Sequence, residues 1–286
     1  MAVAGCNASG AQVRPDGRIN VVAAESFWGS IAQQLGGSRV RVTSLVRKPG
    51  ADPHDYEPTA ADARALAVAG LAIVNGAGYD PWASRLLAVD AVDGRNEIDV
   101  GDLVGVRAGG NPHRWYSPPD VQRVIAAITS AYRSLDPKHA AYFAAQRARF
   151  ESRGLARYRA LIASIRRRFA GTPVGASESI FTPLAASLGL RLITPAPFMN
   201  AVSEGSEPTA AAKSEADAQV AQRRIRLWIY NSQNATPDVS RLSSEARAHG
   251  IPVVTISETP TPAGATFQDW QSRQLAAIER ALGERR

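Results

Sequence analysis

The feature of this sequence that most constrains its fold is the segment 137–169, which after its first residue contains no proline and only one glycine. Apolar residues recur there every three or four positions, at Leu155, Tyr158, Ile162, Ile165 and Phe169. This spacing predicts an amphipathic helix, which would be about 50 Å long at 1.5 Å per residue. Such a helix is longer than a usual connection between strands, so we expect it to run along two halves of the molecule.

Short apolar runs alternate with helical patterns on both sides of this segment. Before it, the patterns predict strands at 19–24, 40–46, 71–75 and 97–100, and helices at 25–35, 59–68, 79–88 and 119–133. After it, they predict strands at 174–176, 191–193, 227–230 and 252–256, and helices at 179–188, 208–223, 239–249 and 267–282. This alternation is typical of parallel sheets that are covered by helices.

The expected fold is therefore α/β, with two lobes that each hold a parallel β-sheet flanked by helices, joined by one long spanning helix. We place a tether at 1–17, the N-terminal lobe at 18–136, the spanning helix at 137–170 and the C-terminal lobe at 171–286. Two domains suit a chain of 286 residues of which 45% are hydrophobic. No run approaches the roughly 20 apolar residues that a membrane span needs.

The net charge of +7 comes mainly from arginines that are spread along the chain, apart from the run Arg166-Arg167-Arg168. This run ends the long predicted helix, where cations interact favourably with the helix dipole. We therefore expect that the protein binds no nucleic acid, and we expect a monomer.

The single cysteine excludes an intramolecular disulfide bond. It lies in Val3-Ala4-Gly5-Cys6, which is similar to the end of a bacterial lipoprotein signal, and the next residues are rich in Ser, Gly and Asn, as in a tether. The hydrophobic part of a signal peptide does not precede it in this chain, so we expect the chain to begin near the processing site. The expected location is extracytoplasmic, with a lipid anchor at Cys6 on the outer face of the cell membrane. A chance Gly-Cys pair is the alternative.

Two of the four histidines lie in closely similar settings, Pro53-His54-Asp55-Tyr56-Glu57-Pro58 and Pro112-His113-Arg114-Trp115-Tyr116-Ser117-Pro118. Each setting precedes a predicted helix. Because proline fixes its own φ and restricts the residue before it, each imidazole lies on pre-ordered backbone. A matched pair of this kind is typical of a metal or catalytic site. For either histidine alone, a polar loop residue that caps the helix is the alternative.

Two glutamates complete a candidate metal site. Glu178 follows the predicted strand 174–176 and Glu258 follows the strand 252–256. Since open α/β sheets bind ligands at the carboxyl ends of their strands, we expect both to converge with His54 and His113 in a cleft between the lobes. Two imidazoles and two carboxylates suit Mn²⁺, Zn²⁺ or Fe²⁺. Alternatively, Glu178 stabilises a helix N-terminus and Glu258 is a solvated loop acid.

The other histidines are weaker candidates. His139 and His249 lie in helical patterns, and we expect both to be exposed helix residues.

Five segments carry a resemblance to a known family: Ala24-Glu25-Ser26-Phe27-Trp28-Gly29, Asp52-Pro53-His54-Asp55-Tyr56-Glu57-Pro58, Asn75-Gly76-Ala77-Gly78-Tyr79-Asp80, Asn111-Pro112-His113-Arg114-Trp115, and Ser177-Glu178-Ser179-Ile180-Phe181. With these, the sequence resembles the zinc/manganese-type solute-binding lipoproteins of bacterial ABC importers from about residue 19 to the C-terminus. The resemblance implies two lobes joined by a rigid helix, and a permease as partner. It also implies a metal, Zn²⁺ or Mn²⁺, that is carried rather than used in catalysis. The implied metal ligands are His54, His113, Glu178 and Glu258.

The sequence departs from the family in two respects. Many zinc-specific members have a histidine where this chain has Glu178, and the histidine-rich loop common in those members is absent. An oxygen ligand favours Mn²⁺, although by the Irving–Williams order Zn²⁺ would still bind tightly. The match around Glu258 is loose, and Asp269, inside the last predicted helix, is the alternative ligand.

Three functions can be weighed from these residues. The one we expect is a binding protein, not an enzyme, that captures a divalent metal outside the membrane and delivers it to an ABC importer. The alternative is a metal-dependent hydrolase in which Glu178 or Glu258 is a general base, but the sequence contains no His-Glu-x-x-His motif. A scaffold or adhesion protein without bound metal is the third.

Overall fold

The computed structural model describes residues 17–47, 56–89 and 94–284. These residues contain two four-stranded β-sheets. The chain divides into two units. The first unit consists of the chain up to Pro112 and of Asp120–Arg153. The second unit consists of the short segment His113–Pro119 and of the chain from Gly154 onwards. Cys6, the predicted tether up to residue 16, and His54 lie outside the described residues.

The first unit contains a parallel sheet with the strand order β2-β1-β3-β4. Its strands are β1 (Ile19–Glu25), β2 (Val40–Val46), β3 (Leu71–Val74) and β4 (Asn96–Asp99). Its helices are α1 (Ser26–Gly36), α2 (Ala60–Ala67), α3 (Pro81–Val89), α4 (Val100–Val104), most of α5 (Pro118–Leu135) and α6 (Ala140–Arg149). Every residue of β3 is buried, as expected for a central strand that is covered on both faces.

The second unit repeats this arrangement with the parallel order β6-β5-β7-β8. Its strands are β5 (Pro173–Ala176), β6 (Arg191–Leu192), β7 (Trp228–Asn231) and β8 (Val253–Ile256). Its helices are α7 (Ala156–Phe169), α8 (Thr182–Leu188), α9 (Ala196–Ser203), α10 (Ala210–Ala221), α11 (Pro237–Ala248) and α12 (Phe267–Gly283). In both sheets the strand order reverses beside the first strand, so the crevice lies between β1 and β3 in one and between β5 and β7 in the other.

Hydrophobic periodicity accounts for how the helices pack on these sheets. In α1, Phe27, Ile31 and Leu35 recur every four residues and are fully buried. In the second unit, Phe198, Val202, Ala212, Ala216 and Val220 of α9 and α10 pack in one core cluster with Trp228 of β7. The α/β class and the parallel sheets that the sequence predicts are confirmed.

The long predicted helix is divided in the structure. A 3₁₀ turn (Pro137–His139) leads into α6, and a π-helical turn (Phe150–Gly154) separates α6 from α7. The expectation of one regular helix over 137–170 was therefore wrong in detail. Phe150 and Leu155 are both buried although they lie five residues apart, and a π-helical turn places residues at that spacing on one face.

Shorter elements also differ from the prediction. The helix expected at 179–188 is a 3₁₀ turn (Ser179–Phe181) followed by α8, and α4 and α9 were not predicted. Among the described residues, no helix combines the length and the apolarity that crossing a bilayer requires.

Candidate metal centre

Three polar residues follow adjacent strands of the second sheet. Glu178 lies two residues after β5, Asn231 is the last residue of β7, and Glu258 lies two residues after β8. Because β5, β7 and β8 are neighbours and parallel, their carboxyl ends lie at one edge of the sheet. The order of the strands therefore brings together two glutamates that are far apart in sequence.

The amide of Asn231 lies between the two carboxylates. Its Nδ2 donates to Glu258 Oε1 at 3.0 Å and to Glu178 Oε2 at 3.4 Å. Its Oδ1 accepts the backbone N–H of Gln233 at 3.0 Å, which fixes the amide with its NH₂ group toward the acids. Glu178 is 1% exposed and Glu258 is 7% exposed, so both acids are held away from bulk water.

His113 belongs to the same group of side chains. Its imidazole is 2% exposed, and its Nε2 lies 3.9 Å from Glu258 Oε1. Zn–N bonds are about 2.0–2.1 Å and Zn–O bonds about 2.0–2.2 Å long, so one ion could reach both atoms at separations up to about 4.3 Å. The distance between His113 and Glu258 is therefore compatible with a shared metal ion.

The structure shows the surroundings of the residues for which the sequence left alternatives open. His113 and Glu178 each precede a 3₁₀ turn, but neither side chain makes a capping hydrogen bond. Glu258 is buried, so it is not a solvated loop acid. Asp269 lies in the first turn of α12 and accepts the hydroxyl hydrogen bond of Thr266 at 2.7 Å, which assigns it to the helix start.

The remaining histidines have other surroundings. His139 was expected to be an exposed helix residue, but its side chain is about one-third exposed and its Nδ1 lies 2.7 Å from Asp136 Oδ2 in a 3₁₀ turn. His249 follows the last residue of α11.

Hydrogen bonds fix the backbone on both sides of Glu178. The N–H of Ser177 donates to the carbonyl of Ile229, and its hydroxyl accepts the N–H of Asn231 at 3.2 Å. On the other side, the N–H of Ser179 donates to Ser203 Oγ at 3.1 Å. Glu178 is thus carried by a strand end that is tied to β7 and to α9.

A buried network in the first unit holds the residue that precedes His113. Asn75 Nδ2 donates to the carbonyl of Pro112 at 2.9 Å, and Asn75 Oδ1 accepts the indole N–H of Trp28 at 3.1 Å. The backbone N–H groups of Asn75 and Gly76 both donate to the carboxylate of Asp80, at 2.7 and 2.8 Å. Burial raises the pKa of Asp80 to about 6, in spite of these hydrogen bonds.

His54 is the one sequence-predicted ligand whose position the structure does not describe. Within the described ranges, no group of three or more His, Cys, Asp or Glu side chains is arranged to hold a metal ion. His113 and Glu258 come together, and Glu178 joins them through Asn231. Sequence reasoning missed Asn231, although its position at the end of an apolar strand pointed to this sheet edge.

Comparisons with known proteins bear on what this arrangement is. A family model described as "Zinc-uptake complex component A periplasmic" matches residues 21–281. The manganese-binding lipoprotein MntA of Halalkalibacterium halodurans is 31% identical over 147 residues, which cover 50% of this chain and 48% of that protein. The zinc-binding lipoprotein AdcA of Streptococcus pneumoniae is 22% identical over 96% of this chain and 58% of its own length. The chain thus spans about half the length of these relatives.

Solved structures share the fold. A Mn-bound periplasmic metal-binding protein from Candidatus Liberibacter asiaticus has a TM-score of 0.75 and 21% identity, over 92% of this chain and 98% of that one. The periplasmic zinc-binding protein TroA from Treponema pallidum has a TM-score of 0.74 and 20% identity, over 92% and 99%.

The match to the family model extends from β1 to α12 and includes the strand ends that carry Glu178, Asn231 and Glu258. It places the chain among components of uptake systems rather than among enzymes. The chain belongs to the ZnuA family, whose model is described as the periplasmic component A of a zinc-uptake complex.

Proposed function

We propose that this chain is an extracytoplasmic binding protein that captures a divalent transition metal, Zn²⁺ or Mn²⁺, and delivers it to the permease of an ABC importer. In this proposal it acts as a monomer and is anchored to the membrane by lipid at Cys6. The observation that supports the proposal most strongly is the 3.9 Å approach of the buried His113 to the buried Glu258, beside which Asn231 holds the buried Glu178. Family membership and the metals in the relatives' names agree with it.

The proposed ligands are His113, Glu178, Glu258 and His54. The first three come from the second unit, and His54 is included on the sequence alone. Two carboxylates that are nearly removed from water are costly unless positive charge compensates them. A divalent cation supplies that charge, and an imidazole with carboxylate oxygens makes a site for Zn²⁺ or Mn²⁺ rather than for a soft metal such as Cu(I).

Titration of the metal-free protein with Zn²⁺ and with Mn²⁺ by calorimetry tests the proposal. We expect one ion per chain for the wild type. His113→Ala, Glu258→Ala and His54→Ala should each raise the Kd by more than the roughly 10- to 100-fold that substitution of an outer-shell residue costs. His249→Ala is the matched control, because it removes a histidine at the end of α11, and it should leave the Kd unchanged.

Two results would contradict the proposal. One is a wild-type protein that binds neither ion stoichiometrically. The other is a His113→Ala or Glu258→Ala variant that keeps the wild-type affinity while its circular dichroism shows a native fold.

A further inference from the structure

Ser257, the residue before Glu258, is held by hydrogen bonds to four other residues. Its backbone N–H donates to Gln274 Oε1 at 2.9 Å, and its carbonyl oxygen accepts the hydroxyl of Tyr116 at 2.9 Å. Its side-chain oxygen accepts the indole N–H of Trp270 at 2.9 Å and donates to the carbonyl of Thr259 at 2.9 Å. Glu258 therefore extends from a segment whose backbone is fixed by α12 and by Tyr116.

Tyr116 connects this segment to His113. The backbone N–H of Tyr116 donates to the carbonyl of His113 at 3.2 Å, in the 3₁₀ turn Arg114–Tyr116. Its hydroxyl lies 2.9 Å from the Ser257 carbonyl oxygen and 2.8 Å from Gln274 Oε1, so its single proton is shared between two acceptors. All four residues of this link belong to the second unit.

The hydroxyl of Tyr116 is a donor under ordinary conditions. The side chain is fully buried, and burial raises the pKa of this hydroxyl far above its usual value. The ring also packs edge-on against Trp270, with centroids 5.9 Å apart. The aromatic ring and the hydroxyl thus make separate contacts, and a Tyr116→Phe substitution removes only those of the hydroxyl.

We propose that Tyr116 is a positioning residue for the metal site. Its hydroxyl connects the 3₁₀ turn that follows His113 to the backbone of Ser257, the residue before Glu258, and this connection sets the separation of His113 from Glu258. The inference rests on the proposed metal-binding function. A metal ion binds tightly only when its ligand atoms are already close to the required geometry, and groups behind the ligands supply that order. Without the hydroxyl, no hydrogen bond from Tyr116 connects the turn after His113 to Ser257, and the 3.9 Å distance between His113 and Glu258 is no longer fixed by this bond.

The test compares Tyr116→Phe with Tyr132→Phe. Tyr132 is an equally buried tyrosine whose hydroxyl donates to a backbone carbonyl, that of Ala32, at 3.0 Å in the first unit. Both variants lose a buried hydroxyl and its hydrogen bonding, so they control for the general cost of the change. The probes are Zn²⁺ affinity, measured by competition with a chelator, and the visible absorption spectrum of bound Co²⁺, which reports coordination geometry.

We expect Tyr116→Phe to raise the Kd for Zn²⁺ by about 10-fold, the lower end of the range for outer-shell substitutions, and to change the Co²⁺ spectrum. Tyr132→Phe should change neither. Equal Zn²⁺ affinity and identical Co²⁺ spectra for wild type and Tyr116→Phe would overturn the inference and leave the proposed function intact. A wild-type protein that binds neither ion would overturn both.

A second variant covers the case in which Tyr116→Phe does not fold. Gln274→Met removes the acceptor that Tyr116 and Ser257 share while it keeps a side chain of similar length. It should weaken Zn²⁺ binding and change the Co²⁺ spectrum in the same way. Native affinity and a native spectrum in this variant would contradict the part of the link that runs through Gln274 and leave the bond from Tyr116 to the Ser257 carbonyl as its only carrier.

Discussion

At the scale of single residues, Asn231 shows how an uncharged side chain can organise two buried acids. Its NH₂ group donates to Glu178 and Glu258, and the N–H of Gln233 fixes the orientation of the amide. Aspartate at this position would have no donor to offer and would add a third negative charge. The amide therefore keeps the two proposed ligands close together without competing with them for a cation.

Asp80 is the residue at which a pH effect on stability can be worked out. Burial raises its pKa to about 6, whereas in the unfolded chain its pKa is close to the ordinary value of 3.8 for aspartate. Between about pH 4 and pH 6 the unfolded chain is therefore ionised at Asp80 while the folded protein keeps the proton. The stability that this group contributes is present below pH 4 and is lost as the pH rises, by at most about 1.4 kcal/mol per pH unit.

Urea unfolding of wild type and Asp80→Asn at pH 4, 5, 6 and 7 isolates this contribution. The asparagine stays neutral, so we expect its unfolding free energy to rise relative to that of the wild type between pH 4 and pH 6. A difference between the two proteins that does not change with pH would contradict the prediction.

Among the predictions made for single residues, the expected convergence of the candidate ligands can be compared with the described structure. The structure places Glu178 and Glu258 at one sheet edge, and it brings His113 close to Glu258. The assignment of all four residues, His54, His113, Glu178 and Glu258, as metal ligands stays a prediction. Tyr116 could not be predicted, because its partners Ser257 and Gln274 are 141 and 158 residues away and no local pattern connects them.

At the scale of elements, threonine caps recur at the helix starts. Thr59, Thr209, Thr236 and Thr266 each accept the N–H of the residue three positions later, at the starts of α2, α10, α11 and α12. The cap of α2 is the most elaborate. Asp62 accepts the N–H of Thr59 at 2.7 Å and the hydroxyl of Tyr56 at 3.0 Å, so this capping box also anchors Tyr56, the first described residue after segment 48–55.

We predict that Thr59→Ala lowers the unfolding free energy by about 1 kcal/mol, the usual cost of losing an N-cap side chain. Asp62→Ala should cost more, because it removes the acceptor for the N–H and hydroxyl of Thr59 and for the hydroxyl of Tyr56. Thermal or urea unfolding measures both. Thr209→Ala, which removes a single cap bond at α10, is the control and should resemble Thr59→Ala. A larger loss of unfolding free energy for Thr59→Ala than for Asp62→Ala would contradict the prediction.

The errors in predicting elements have physical causes. α9 begins at Ala196 and was not predicted; Pro197 lies in its first turn, where proline is well tolerated. Phe198, Met199 and Val202 already had helical spacing and are buried. The π-helical turn at Phe150–Gly154 could not be predicted from the sequence. It depends on tertiary packing that buries both Phe150 and Leu155, five residues apart, on one face of the helix.

At the scale of the whole molecule, the two sheets share one strand order, and the candidate site occupies the crevice edge of the second. The sequence predicted this architecture because strands and helices alternate without long interruptions. It did not predict that the short segment His113–Pro119 belongs to the second unit rather than to the first. Membership of that segment is decided by contacts such as the one between Tyr116 and Ser257, which are distant in sequence.

Because distant contacts form late in folding, we predict that the ability to bind Zn²⁺ appears with the slowest refolding phase. Stopped-flow refolding with a fluorescent Zn²⁺ indicator, compared with far-ultraviolet circular dichroism, measures the order of events. Most secondary structure should return before Zn²⁺ is captured. Capture with wild-type affinity in the earliest phase would contradict the prediction.

The discontinuous second unit has a consequence for the protein while it is being made. The ribosome releases the turn of His113 long before it has added Ser257 and Gln274, since synthesis proceeds from the N-terminus. A nascent chain that stops short of β8 therefore has the imidazole but lacks Ser257, whose carbonyl accepts the hydroxyl of Tyr116, and Gln274. Such incomplete chains cannot form the contacts of Tyr116 with Ser257 and Gln274, so the proposed metal site is completed only after β8 and α12 have been added.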